Sequence, residues 1–101
     1  MQVLLNAIDF GMSTEGAIEA PRFQTRHLVS SFDNHAWNLG DLQLDERFPP
    51  ATVAELTALG HKVQLLSRWS SGSAPVLIRM LPQGVIEAAA DPYAYRVAHA
   101  W

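Results

Sequence analysis

The stretch PVLIRMLPQGVIEAAA, Pro75–Ala90, decides how the rest of the chain is read. Its first part, Pro75 to Met80, is the most apolar strand candidate in the sequence. Leu81-Pro82-Gln83-Gly84 follows, with proline and glycine in positions that favour a reversal of the chain. Val85 to Ala90 then runs back. The pattern predicts a β-hairpin in which Pro75–Met80 pairs with Val85–Ala90 through Pro82–Gly84.

Working outward, Lys62–Leu66 places Val63 and Leu65 on one face and reads as a further strand of the same antiparallel sheet. Trp69–Ser73 is a polar turn. Upstream, Pro49-Pro50 opens a helix, because proline suits the first helical turn. Val53, Leu56 and Leu59 face inward from it, and Gly60 closes it. Leu42, Leu44 and Glu46 alternate with Gln43, Asp45 and Arg47, as in a short extended segment. From Arg22 to Leu42 the pattern dissolves into a connection of about 20 residues, long for a compact domain. Near the N-terminus, Val3, Leu4, Ala7, Ile8 and Gly11 fall at helical spacing. Ser13 reads as the N-cap of a second helix, with Thr14 and Glu15 in its first turn and Ala17, Ile18 and Ala20 on its apolar face. Pro21 stops it. The tail carries Tyr93, Tyr95, Val97 and Trp101, either as an added edge strand or as ordered coil. The expected fold is a single α+β domain over 1–101. Two or three helices pack on one face of an antiparallel sheet, and Val3, Leu4 and Ile8 touch that sheet.

The bulk composition excludes several function classes. The chain has 101 residues, 49% hydrophobic and 17% charged, with a formal charge of −3. Its Lys and Arg are scattered singly, with no basic stripe interleaved with aromatics, so a nucleic-acid partner is not expected. There is no cysteine, which removes disulfides, thiol catalysis and thiolate metal sites. The start of the chain has no basic region, and Asn6 and Asp9 interrupt its apolar run, so no signal peptide is read there. Nothing approaches the ~20 apolar residues that span a bilayer, and a soluble chain of unknown compartment is expected.

No residue cluster in the sequence has the spacing of a catalytic or metal centre. His27, His35, His61 and His99 form no i,i+4 pair and adjoin no carboxylate motif, so neither metal nor cofactor is expected. Thr14 and Thr52 read as helix-terminus hydroxyls with no base beside them. Ser70-Ser71-Gly72-Ser73 lacks the Gly-Lys-Ser ending of a phosphate loop and reads as a turn. Asp9 with Glu19, and Asp45 with Glu46, read as surface or capping carboxylates. Arg22, between Pro21 and Phe23, is the charged residue with two readings. One is a reach toward an active site; the other is a bond to helix carbonyls or a carboxylate.

Three groups of residues carry a resemblance. QVLLNAIDFG (Gln2–Gly11) followed by AIEAPRF (Ala17–Phe23) resembles the helix–helix–APRF segment of γ-glutamyltransferases. Leu44–Pro49, with the helix that ends LGHKV (Leu59–Val63), resembles the next part of those enzymes. GVIEAAADP (Gly84–Pro92) is similar to the hairpin return near their C-terminus. The order is the family's, over nearly the whole chain. The resemblance implies the C-terminal part of the small subunit of an N-terminal-nucleophile hydrolase with an αββα core. Such a protein is made as a precursor that cleaves itself to free a threonine, which is both nucleophile and, through its α-amine, base. It takes a γ-glutamyl group from glutathione or a related amide to water or an amino acid. The Thr-Thr and Gly-Ser-Pro-Gly-Gly motifs of that chemistry are absent from this stretch. No catalytic residue is therefore carried over, no substrate-binding residue is assigned, and the chain alone is expected to be inactive. Two features depart from the family pattern: a longer loop from His27 to Asp41, which holds Ser30-Ser31-Phe32 and Trp37, and an aromatic tail. The implied partner is the remainder of the enzyme or, for a stand-alone binding module, a second copy of the chain.

Overall fold

In the computed structural model, residues 1–29, 31, 35, 37–68, 72–92 and 97–99 are described. They fall into two compact units, 1–20 with 72–101 and 21–71. Phe32, Trp69, Ser70, Ser71, Tyr93, Tyr95 and Trp101 lie outside the described residues. So do most of the expected Trp69–Ser73 turn and all the aromatic residues of the tail, whereas Val97 is described.

The first unit contains the expected hairpin. To follow the chain order, α1 is Gln2–Ile8 and α2 is Thr14–Glu19. In the second unit, β1 is Phe23–Thr25, β2 is Asp41–Asp45, α3 is Pro50–Ala58 and β3 is Lys62–Leu66. β4, Val76–Met80, and β5, Ile86–Ala90, return to the first unit. β4 and β5 pair antiparallel from Val76↔Ala90 to Met80↔Ile86. Gly84 takes φ +79°, and its N–H closes the turn onto the Leu81 carbonyl at 2.9 Å. Helix α2 packs across one face of this hairpin. It buries Thr14, Ala17 and Ile18, the last fully.

Ser13 caps α2 as its residue type predicts: its Oγ accepts from Gly16 N at 3.0 Å. Two polar bonds clamp the start of this helix to the strands. Thr14 Oγ1 donates to the Glu87 carboxylate of β5, and Arg79 of β4, the cross-strand partner of Glu87, donates to the Met12 carbonyl at 2.9 Å. Helix α1 is placed differently from expectation. Among the described residues it packs on α2 and on no strand. Ala7 is its buried residue, whereas Leu4 and Ile8 are exposed. The reason is that α2 is short and already occupies the hairpin face, so α1 can reach only α2. Gly11 lies beyond the end of α1, whose C-cap is Asp9. Its φ of +63° turns the chain so that Met12 N–H reaches back to the Asn6 carbonyl at 3.0 Å.

The second unit corrects the expectation of one antiparallel sheet. Lys62–Leu66 does not join the hairpin. It pairs in parallel with β2, from Asp41↔Lys62 to Asp45↔Leu66, while β1 pairs antiparallel with the other edge of β2. The chain therefore has a mixed three-stranded sheet and a separate two-stranded one. The parallel pairing follows from the helix between the two strands, because a tight turn cannot join parallel neighbours and a crossover can. Pro50 at the first helical position starts that helix. Gly60, at φ +95°, ends it beside Leu59, and Lys62 N then bonds the Gly40 carbonyl at 2.7 Å to begin the pairing. The irregular stretch from Arg22 is shorter than its pattern indicates, since Phe23–Thr25 is a strand, too short to show a period.

A valine at Thr14 keeps the shape of the side chain but leaves the Glu87 carboxylate without that hydroxyl. Thr14→Val is expected to lower stability by about 1–3 kcal/mol, and Ser13→Ala by about 1 kcal/mol. Urea unfolding should show lowered midpoints with unchanged slopes, and an unchanged midpoint for Thr14→Val would remove the clamp from the account.

Candidate functional site

Strand β2 is buried on both faces. All five residues of DLQLD are buried, including Asp41, Gln43 and Asp45. Alternation along a strand sends Leu42 and Leu44 to one face and the three polar residues to the other. Each face forms its own site within the second unit.

The polar face carries a ladder. Gln24 Nε2 donates to Gln43 Oε1, and Gln43 Nε2 donates to Gln64 Oε1 at 3.2 Å, so one amide row crosses all three strands at matched register. At the end of β2, Asp45 takes a two-pronged bond from Arg47, Nε to Oδ1 at 2.9 Å and Nη2 to Oδ2 at 2.7 Å, and also accepts the Arg47 backbone N–H. This ties the turn into α3 to the strand end. Glu46 leaves in another direction, where its Oε1 accepts Arg68 N at 2.9 Å. The Asp45–Glu46 pair is thus no acid–base couple. Of the two roles expected for Asp45, surface or capping group, it fills the second, accepting the Arg47 N–H, and it is buried in an ion pair rather than exposed. Arg22 is buried too, and its carbonyl receives Asp45 N at 3.0 Å, so its backbone continues the β1–β2 pairing.

The apolar face forms a groove of about 660 Å³. Phe23 of β1, Leu42 and Leu44 of β2, Leu56 of α3 and its C-cap Leu59 line it, with Phe48 after the end of β2. At the end where β2 and β3 start, Gly40, Gly60, His27 and His61 also border it. His27 Nδ1 accepts the Gly40 N–H at 3.1 Å, and Thr25 Oγ1 donates to the Asp41 carbonyl at 2.8 Å while accepting His27 N. His27 and His61 share this border, but His35 and His99 are elsewhere in the sequence. No group of three or more His, Cys, Asp or Glu that could hold a metal occurs among the described residues.

Among the described residues, a hydroxyl–carboxylate contact with a catalytic look is Thr14–Glu87 in the first unit. The sequence reading gave Thr14 no base, and the structure supplies one from a strand 73 residues away. Thr14 is only 3% exposed, so no substrate reaches its hydroxyl, and the pair serves packing. Sequence spacing could not show it, because the contact depends on α2 lying across β5. Among the described residues, no helix is long and apolar enough to cross a membrane.

The family described as Gamma-glutamyltranspeptidase matches residues 1–101. The chain is 32% identical over 92 residues to the glutathione hydrolase proenzyme of Escherichia coli K12, a match covering 91% of this chain and 14% of that protein. It is 37% identical over 75 residues to the oxamate amidohydrolase proenzyme of Klebsiella pneumoniae, covering 64% of this chain and 14% of that one. The crystal structure of a cephalosporin acylase from Bacillus halodurans superposes with a TM-score of 0.76 at 28% identity, over 100% of this chain and 17% of that chain. The chain thus spans about one seventh of the curated relatives it matches.

The Asp45–Arg47 pair generates an asymmetric expectation. Arg47→Ala strips both guanidinium bonds from a buried carboxylate, whereas Asp45→Ala leaves a part-exposed guanidinium that water can reach. Arg47→Ala should therefore cost more, about 2–4 kcal/mol against about 1–2 kcal/mol. Denaturant midpoints of the two variants give the order, and the reverse order would contradict it.

Proposed function

The chain belongs to the gamma-glutamyltranspeptidase family, and on that premise we propose that it is the C-terminal segment of the small subunit of a γ-glutamyltransferase-like enzyme. The parent takes a γ-glutamyl group from glutathione or a related amide to water or an amino acid. This segment supplies scaffold, not the reacting groups. The observation that carries the reading is the pairing of two facts. The family match runs over all 101 residues, yet those residues span 14% of a relative whose name describes glutathione hydrolysis. The reaction needs a nucleophile with its base and an oxyanion site. The described residues offer one buried hydroxyl already bonded to a carboxylate.

The exposed apolar face of the hairpin supports the same reading. Helix α2 covers one side of β4–β5, and Val76, Ile78, Met80 and Ile86 on the other side are exposed, Met80 at 80%. Covering about 400 Å² of such surface would contribute roughly 10 kcal/mol before the costs of association. In the parent enzyme, the rest of the polypeptide covers it. The same face favours a second reading, a stand-alone module that oligomerises through it.

The purified 101-residue chain is expected to show no turnover of γ-glutamyl-p-nitroanilide. Saturable turnover abolished by a γ-glutamyl-site inhibitor would overturn the scaffold reading. Light scattering at micromolar concentration separates the second reading from the first. A discrete dimer that Ile78→Asp disperses supports the module, and a chain that stays monomeric removes it.

A further inference from the structure

We infer that the groove of the second unit is the seat of an apolar helix contributed by polypeptide outside these 101 residues; this rests on the reading of the chain as one segment of a longer enzyme. Of the three strands in its sheet, α3 touches β3 alone. Strands lie about 4.8 Å apart, so β1 stands roughly 10 Å from β3, close to the diameter of a helix with its side chains. The space beside α3, over β1 and β2, therefore has room for one more helix. A sheet buries an apolar face by this kind of layering.

The lining selects the chemistry of the occupant. Among the described residues, no Asp, Glu, Lys or Arg borders the groove and most of its wall is apolar, so the surface it fits is apolar. A volume of 660 Å³ also falls in the range of small-molecule pockets. Such pockets, however, orient their ligands with convergent polar groups. Here the polar side chains are Thr25, His27 and His61, all at one end, and the Thr25 hydroxyl and His27 Nδ1 are committed to this chain's own backbone. A helix needs no such groups, because its backbone polar atoms are satisfied internally and its apolar stripe supplies the contact. The source of the helix follows from length. In the matched relatives these residues make up 14% of the protein, so most of the polypeptide that could supply a covering element lies outside them.

The chain contains no cysteine, so single thiols report the groove. In the complete polypeptide encoded by the reading frame that carries these residues, Leu59→Cys at the C-cap of α3 and, as an exposed reference within that helix, Ala54→Cys are labelled with a maleimide. Labelling is quantified by peptide mass spectrometry under native and denaturing conditions. Leu59→Cys is expected to label about tenfold more slowly than Ala54→Cys in the native protein and equally in denaturant. Equal labelling in the native protein overturns the inference and leaves the segment reading standing. Protection that grows with protein concentration assigns the groove to a second copy and also overturns it. A reading frame with nothing beyond these residues overturns both the inference and the segment reading. Should Leu59→Cys fail to fold, Phe23→Cys on the opposite wall carries the same expectation.

Discussion

The structure of the second unit depends on the pairing of β2 along both of its edges. β1 joins it antiparallel and β3 joins it parallel. A parallel neighbour cannot be reached by a tight turn, so a crossover must intervene, and α3 is that crossover. Pro50, Gly60 and the Lys62–Gly40 bond are the local devices that start the helix, stop it and begin the pairing. The position of β2 also gives the unit its two chemically distinct faces. Leu42 and Leu44 open one onto an apolar groove, while Gln43 and Asp45 bind their neighbours across the other.

Much of this was legible in the sequence wherever one local rule decided the outcome. The hairpin was announced by Pro82 and Gly84, the start of α2 by Ser13, and the start of α3 by Pro50. The rest depended on contacts between distant residues. β1 has three residues, too few for a period to show. Lys62–Leu66 was readable as a strand, but its partner and direction were not, since the same alternation suits either sheet. DLQLD reads as half-exposed because Asp and Gln normally face water. It is buried because paired amides and an ion pair satisfy those groups inside. For the same reason the Thr14–Glu87 bond could not be foreseen, as it needs the placement of α2 on β5.

Function was legible at the level of family and no finer. The residues that carry the resemblance lie on α1, α2 and the segment into β1, on the end of β2 and the stretch from the end of α3 into β3, and on the hairpin. None of them forms an accessible pairing of nucleophile and base among the described residues. Relatives with the same segment are named for glutathione, for oxamate and for acyl groups. A scaffold shared by enzymes of different specificity is consistent with a segment that supports the reaction without choosing the substrate. The uncovered hairpin face and the groove fit the same picture. Each is an apolar surface that water would otherwise meet.

The most direct test of the account is the intact mass and N-terminal sequence of the mature natural polypeptide that contains these residues. The account predicts a polypeptide longer than 101 residues that begins with a threonine freed by self-cleavage and ends with this segment. A mature protein of 11.1 kDa that begins at Met1 would contradict it.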